Sequence, residues 1–356
     1  MYSLSYLYHT LGNPYYADLC ELTTFNALPA MLTPDYWGRQ YMEQPNQPYS
    51  RNLSATPFFN TNSWGQTFGL EPNYPCCTVN HPQGLPKFLA ATFVGVGANG
   101  VAHALLSPAM VETKVASGMV HVRCDTNYPF SGRLQYSITS DGAFDFYVRV
   151  PAWYVARSSS IRVGHGRALP LSPDPTTGLH KLCLPAGKSS VSYNLGSAIR
   201  VDSRANDTVA VYQGALLYAL EIGSTNSSTL PKNWANQSYY PAGYAPPQSR
   251  DWTMMNTSAW NVAIDPSTLA FHSNLAAGGQ LASPIFAPGA PPTWMSVKAC
   301  KIDWPLFKGS VPGDAPPKAS RKCLADSFMA KLRPYGSAKL HMAELPTMDL
   351  SAHSYS

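Results

Sequence analysis

Phe144-Asp145-Phe146-Tyr147-Val148-Arg149-Val150 alternates between two sets of side chains over seven residues. Successive side chains of a strand point to opposite faces, so Phe144, Phe146, Val148 and Val150 share one face. Asp145, Tyr147 and Arg149 share the other.

Similar patterns lie on both sides. Val120, Val122 and Cys124 alternate with His121 and Arg123, and Leu134, Tyr136 and Ile138 form the next set. Val191, Tyr193 and Leu195 follow, then the apolar stretch Val209 to Leu220. Val94 to Leu106 is apolar with breaks at Gly95, Gly97 and Gly100. Short alternating strands separated by turn residues predict an antiparallel sandwich. A weaker β pattern resumes at Trp260–Ile264 and Trp294–Cys300, and Lys339–Met342 is expected as a last strand. The stretch Gly223 to Ser249, rich in Ser, Asn, Pro and Tyr, reads as a linker or long surface loop, and Ala315-Pro316-Pro317 as a loop. No internal repeat is present.

The N-terminal side is helical instead. Leu4, Leu7, Tyr8 and Leu11 fall at i, i+3, i+4 and i+7, one buried face of a helix. Gly12-Asn13-Pro14 is a stop followed by a restart. Tyr16, Leu19, Cys20 and Thr23 continue on a second helix to about Leu28, where Pro29 should end it. A further helix is expected over Gly84–Phe93.

Composition narrows the function. The chain has 356 residues, room for two or three domains. Only 13% are charged, with 32 Pro, 25 Gly and 21 Tyr, the profile of a loop-rich protein of many short strands. At 45% hydrophobic it can bury a core and is not disordered. The net charge of +5 is spread without a basic stripe, which argues against nucleic acid as a partner. No apolar run reaches membrane-spanning length.

Chemistry concentrates at Glu71-Pro72-Asn73-Tyr74-Pro75-Cys76-Cys77-Thr78-Val79-Asn80-His81, which holds the adjacent cysteines. They sit at a junction of loop and helix, where free backbone N–H groups and the helix dipole favour a thiolate. Two readings stay open here: a nucleophilic or metal-binding thiolate, and a buried thiol acting as a small hydrophobe. A disulfide between sequence neighbours would be strained. The preceding loop, Pro34 to Pro75, interleaves Trp37, Tyr41, Phe58, Phe59, Trp64 and Phe68 with polar residues. Rings beside Asn, Gln and Glu suit the stacking of sugar faces; the alternative is a loop anchored by its own rings.

Seven cysteines leave at least one thiol unpaired within the chain. Cys20, Cys124, Cys183, Cys300 and Cys323 are isolated and read as core fillers, with a Cys300–Cys323 bridge expected if the protein is secreted. Asn-x-Ser/Thr sequences at Asn52, Asn206, Asn226, Asn236 and Asn256 point weakly to the extracellular side. Met1-Tyr2-Ser3-Leu4 lacks the basic start and apolar block of a signal peptide.

Several stretches together resemble the β-L-arabinofuranosidase-like glycoside hydrolases, family 127 and its relatives. They are Cys76-Cys77-Thr78-Val79-Asn80, Tyr16-Ala17-Asp18-Leu19-Cys20-Glu21 with Phe25-Asn26-Ala27, and Thr126-Asn127-Tyr128-Pro129-Phe130-Ser131-Gly132-Arg133. Arg149-Val150-Pro151-Ala152-Trp153, Tyr212-Gln213-Gly214-Ala215-Leu216-Leu217-Tyr218 and Leu332-Arg333-Pro334-Tyr335-Gly336 with Lys339-Leu340 complete the set. The resemblance implies an α+β multidomain protein: the C-terminal remnant of an (α/α)6 barrel, then mainly antiparallel β-sandwich domains. The corresponding segments are 1–111 for the barrel part, 112–225 for a β-sandwich and 226–356 for a loop-rich C-terminal β domain.

The resemblance also implies retaining hydrolysis of a terminal β-L-arabinofuranose. Cys76 would be the nucleophile. Cys76 and Cys77 would be ligands of a zinc ion held in the family by three cysteines and a glutamate. A retaining glycosidase needs a nucleophile and an acid/base carboxyl on opposite faces of the sugar, and zinc keeps a thiolate deprotonated. By the same alignment the remaining zinc ligands, the acid/base glutamate and most sugar-binding histidines fall before Met1. Zinc is therefore doubtful in this chain, since such sites need at least three protein ligands. Glu43 and Glu71 are the nearby carboxylates; Glu71 is the candidate acid, and the alternative is that it tethers its loop. Two readings result: a glycoside hydrolase-like protein that is inactive as this chain, and a non-catalytic carbohydrate-binding or structural β-sandwich protein.

Overall fold

The computed structural model describes residues 1–276 and 279–350. By packing they form two compact units, neither of them a continuous stretch. The first joins Met1–Phe25, Pro82–Ala198 and Gln213–Leu216; the second joins Asn26–His81, Ile199–Tyr212 and the chain from Leu217 on. This division runs across the three consecutive segments expected from the sequence. The protein is α+β, with strands predominating.

In the first unit, the helices Tyr2–Leu11 and Pro14–Leu22 form the expected hairpin. Gly12 ends the first helix at φ 69°, a left-handed position that glycine adopts without strain, and its N–H returns to the Tyr8 carbonyl at 2.8 Å. The Asn13 side chain accepts the Tyr15 N–H at 3.0 Å, and Pro14 occupies the first turn, where its missing donor costs nothing. The second helix changes to a π-turn over Thr23–Ala27 and resumes at Leu28–Ala30, so Pro29 lies in the first turn of a new short helix instead of ending the old one. Tyr8 is buried, but Leu4 and Leu7 are half-buried and Leu11 is exposed, so the apolar stripe is only partly covered. The third helix is Gly84–Ala90, shorter than expected because Phe93–Val96 has gone into a strand. Phe88 from this helix meets Phe25 edge-on at 5.6 Å.

Two sheets complete the unit. One runs in the order Ala109–Val115, Gly118–Thr126, Arg133–Ser140, Gly187–Asn194, Ser160–Val163. The other runs Phe93–Val96, Gly100–His103, Phe144–Arg149, Leu179–Leu184. All pairs are antiparallel except Gly100–His103 with Phe144–Arg149, which is parallel. Tyr136 from the first sheet packs on Phe146 from the second at 5.1 Å and bonds the ring Nδ1 of His103 at 2.9 Å, so the sheets meet face to face. Two of these strands, Phe93–Val96 and Gly100–His103, precede residue 112.

Arg149, on the face opposite Phe146 and Val148, is fully buried and forms ion pairs with Asp18 and Glu21 of the second helix. Its Nε donates to the Ala104 carbonyl at 2.8 Å. Burial alone would lower its pKa, but the two carboxylates outweigh it and hold the guanidinium charged. Glu21 also accepts the Leu106 N–H at 2.6 Å and the hydroxyl of Tyr128.

The second unit is built on a nine-stranded sheet. Its main path is Asn46–Gln47, His341–Met342, Leu216–Glu221, Phe328–Pro334, Thr293–Lys301, Val262–Ser273. Buried Tyr218, Leu220, Ile264, Met295, Val297 and Leu332 form one face. The register slips between Asp265 and Ala270, where Pro266 supplies no ladder donor. The disulfide Cys300–Cys323 ties the strand Thr293–Lys301 to the following loop. The stretch from Gly223 is not simply a linker: Ser224–Thr229 pairs with Asp251–Asn256 as a two-stranded ribbon. No helix among the described residues is long and apolar enough to cross a membrane.

Candidate functional site

Cys76 and Cys77 open a five-residue helix, Cys76–Asn80, in the second unit. Pro75 precedes it without a side-chain cap, and the Asn80 side chain donates to the Cys76 carbonyl at 2.7 Å, which closes the Cys-Cys-x-x-Asn turn on itself. The two Sγ atoms are 4.0 Å apart and are free thiols. Cys76 is exposed and Cys77 half-buried. The sequence alone led to an expectation of depressed thiol pKa values at this junction. For Cys77 the structure shows the opposite: burial raises its pKa, against the lowering influence of Arg39. One and a half helical turns give too little dipole to compensate.

Arg39 is the residue that sequence reading missed. It is held by a pair of backbone bonds with Gly69, each 2.9 Å. A side chain at Gly69 would collide with the Asp251 carboxylate, whose Oδ1 accepts the Leu70 N–H at 3.2 Å and whose Oδ2 accepts the Lys232 N–H at 2.9 Å. This close approach fixes the loop that carries Arg39. The guanidinium donates to the Thr78 hydroxyl at 2.6 Å, and that hydroxyl donates to the Leu70 carbonyl at 2.9 Å. Nε and Nη1 of Arg39 are shielded from solvent and have no hydrogen-bond partner. Burial lowers the Arg39 pKa, while Cys77, Cys76 and Glu71 act to raise it. A buried cation short of partners thus lies within electrostatic reach of both thiols.

Rings from the aromatic loop and from beyond it gather at this place. Tyr41 meets Tyr74 edge-on at 5.6 Å, and Tyr74 meets Trp234 at 4.6 Å. Burial, with Cys76 and Cys77 acting the same way, raises the Tyr41 pKa. The Tyr74 hydroxyl donates to Asn60 at 2.9 Å, and Asn62 donates to the Trp234 carbonyl at 3.2 Å. The other rings of the loop divide: Trp37 and Phe59 are exposed, while Phe68 is buried and anchors the loop.

The candidate carboxylates are both engaged elsewhere. Glu71 accepts the Tyr240 hydroxyl at 2.7 Å, and Tyr240 stacks on Tyr244 at 3.9 Å, an arrangement that tethers the loop. Glu43 lies beside Tyr335 and Lys339; burial pushes its pKa up to about 8 and that of Lys339 down to about 7. Among the described residues, no three His, Cys, Asp or Glu side chains form a group able to hold a metal ion. Two thiols are one donor short of even a catalytic zinc site, so the residues present do not by themselves fit zinc. Cys20 and Cys124 are buried as expected, whereas Cys183 is exposed.

No protein-family model matches the sequence, and no curated protein does. Solved structures do. One, described as a glycoside hydrolase, matches with a TM-score of 0.62 at 15% identity, over 96% of this chain and 50% of its own. A GH127 beta-L-arabinofuranosidase from Geobacillus stearothermophilus T6 matches with a TM-score of 0.60 at 13% identity, over 98% of this chain and 49% of its own. The GH127 beta-arabinofuranosidase BT3674 matches with a TM-score of 0.62 at 17% identity, over 99% of this chain and 48% of its own. The chain therefore has a fold found in GH127 enzymes and spans about half the length of these structures.

Proposed function

We propose that this chain is a glycoside hydrolase-like protein that carries the thiol part of a retaining site for a β-L-arabinofuranose-type sugar. The observation that carries the reading is the exposed thiol of Cys76 beside half-buried Cys77 and the under-partnered Arg39 guanidinium. In this role the Cys76 sulfur forms a bond to the anomeric carbon as the glycosidic C–O bond breaks. A carboxylic acid protonates the departing oxygen, and water later displaces the sulfur. Arg39 acts on the Cys77 thiol against the effect of burial. Tyr41, Tyr74 and Trp234 offer faces for the sugar ring.

The helices Tyr2–Leu11, Pro14–Leu22 and Gly84–Ala90 are read as part of the barrel layer of such an enzyme. The 1–111, 112–225 and 226–356 segments are retained as the correspondence to its barrel, sandwich and C-terminal portions. The disulfide Cys300–Cys323 fits an oxidising compartment, and exposed Asn52, Asn206, Asn226 and Asn236 fit an extracellular destination.

The second reading, a carbohydrate-binding protein without turnover, is favoured by one observation: Glu71 is tied to Tyr240 and not poised as an acid. The chain as given is accordingly expected to be inactive on aryl β-L-arabinofuranosides. The test is an aryl-glycoside assay paired with intact-mass analysis after treatment with an arabinofuranose-configured electrophile. A single sugar adduct that is lost in Cys76→Ala and kept in Cys183→Ala supports the nucleophile. Equal labelling of the Cys76→Ala variant refutes it, and turnover abolished by Cys76→Ala would make Glu71 the acid.

A further inference from the structure

A second concave site lies in the second unit, and none of its lining residues belongs to the thiol site. It is a cavity of about 330 Å³ where five parts of the chain converge: Thr33–Asp35, Glu221–Asn226, Trp252 and Met254, Pro288–Gly289, and Arg333 with Ser337–Leu340. That volume is at the lower end of small-ligand pockets, roughly 300–1,000 Å³. It suits a short ligand and not a long polymer threading through.

The chemistry of the walls is specific. The half-buried indole of Trp252 supplies a flat apolar face, flanked by the apolar side chains of Ile222, Met254 and Leu340. Planar polar groups stand around it with bonding capacity unspent. Arg333 uses only Nε on Glu221, at 3.2 Å, which leaves its two Nη groups for a ligand. Asp35 takes the Thr33 hydroxyl at 2.6 Å and the Trp37 N–H at 3.1 Å on the same oxygen, Oδ1, and so leaves Oδ2. The Asn226 side chain is exposed at the rim. Lys339 has its Nζ tied to the carbonyls of Pro29 at 2.7 Å and Gly336 at 2.9 Å, so it serves as wall and not as a free cation.

Glu221 is paired with Arg333, Lys339 is spent on two carbonyls and Asp35 already accepts two donors, so the cavity offers no unopposed cation to an anion. A charged ligand would find like charge on one wall and gain little. A neutral polyol with one apolar face meets every group: its C–H face lies on the indole, and adjacent hydroxyl pairs bridge the forked carboxylate and guanidinium groups. We propose that this cavity is a non-catalytic subsite for a neutral mono- or disaccharide, with Trp252 as platform and Asp35, Glu221, Arg333 and Asn226 as hydroxyl partners. The site rests on its own geometry and does not depend on the reading of Cys76.

The test is saturation-transfer NMR and calorimetric titration of the full chain. Because Asn226 opens an Asn-x-Ser sequence, the protein is made in a host without N-glycosylation. The probes are methyl β-L-arabinofuranoside, L-arabinose, D-galactose and cellobiose, with inorganic phosphate as a charged control. The expected result is saturable binding of at least one neutral sugar, insensitive to added salt. Trp252→Ala should weaken it roughly 30-fold, equivalent to about 2 kcal/mol. Asn226→Ala, on an exposed rim position with little bearing on folding, should weaken it several-fold, and Cys76→Ser should leave it unchanged. Unchanged affinity in both Trp252→Ala and Asn226→Ala, or no binding of any neutral probe to the folded chain, overturns the proposal. Preferential, salt-sensitive binding of phosphate overturns the neutral class. Loss of binding in Cys76→Ser would relocate the sugar to the thiol site.

Discussion

Replacing Arg149 with leucine should be among the most damaging single changes in the first unit. The side chain is 0% exposed, and its partners Asp18 and Glu21 are 14% and 1% exposed. Leucine fills part of the space but leaves two carboxylates facing a void of charge. Removal of one member of a buried pair typically costs about 3–5 kcal/mol, chiefly because the survivor is buried and unpaired. The loss of the Nε bond to Ala104 adds to this. The cost should depend on pH. Burial already outweighs Arg149 at Glu21 and holds its folded pKa above the unfolded value of about 4.3; without Arg149 a lowering influence is lost and the folded pKa rises further. A carboxyl with a raised folded pKa loses stability as pH rises from the unfolded toward the folded pKa. The deficit of Arg149→Leu against wild type should therefore be small near pH 4 and grow toward pH 7. Urea unfolding across that range measures it, with proteolysis to separate the two units. A deficit below about 1 kcal/mol at pH 7, or one independent of pH, would refute an ionic lock.

Loss of the disulfide in a Cys300→Ser/Cys323→Ser variant, which frees a 23-residue separation, should cost about 3 kcal/mol in thermal or urea unfolding; no change would mean that the bridge constrains nothing. In the folded chain at pH 8, exposed Cys76 and Cys183 should react with a thiol reagent first and Cys77 more slowly. Buried Cys20 and Cys124, whose pKa values burial pushes to about 11 and about 12, should need denaturant, as peptide mapping would show. The purified chain should hold less than one equivalent of zinc, with a melting temperature unaffected by chelator; a full equivalent lost in Cys77→Ser would show that further donors complete the site.

The sandwich was legible because period-2 alternation survives one-sided burial, as in Arg133–Ser140, where every second residue is buried. Arg149 was not legible, because alternation says only that a residue faces away from one core. A second layer of helix covers that face and brings its own carboxylates. The ribbon strand Ser224–Thr229 escaped notice because it buries almost nothing and has no apolar member. Pro29 was read as a terminator because a lone Pro usually is one; at the second position of a new turn its missing donor is harmless. The stretches that carried the family resemblance turn out to be fastening points. Asp18 and Glu21 lock to Arg149, Tyr128 bonds Glu21, Asn26 accepts the Leu217 N–H at 2.8 Å, and Lys339 donates to Gly336. Removing either member of such a buried polar pair leaves the other without its partner.

The thiol site shows the converse. Cys76-Cys77-Thr78-Val79-Asn80 could be read because its parts are local: two thiols, a helical turn, and an Asn that closes on the first carbonyl. The surroundings of the thiols are not local. Arg39 reaches Thr78 across 39 positions, held there by Gly69, which is itself demanded by Asp251. A guanidinium whose Nε and Nη1 are shielded and unbonded carries a desolvation cost of a few kcal/mol that a neutral structural role would not justify. Burial lowers the Arg39 pKa and raises that of Cys77, so each group is poorly placed alone, while each acts on the other in the compensating direction. An anionic sulfur beside Arg39 relieves both. A pair of inert core cysteines would bury without such a cation, and Cys76 is exposed. The arrangement is what the proposed thiol site would require: an exposed Cys76 beside Cys77, on which Arg39 acts against the effect of burial.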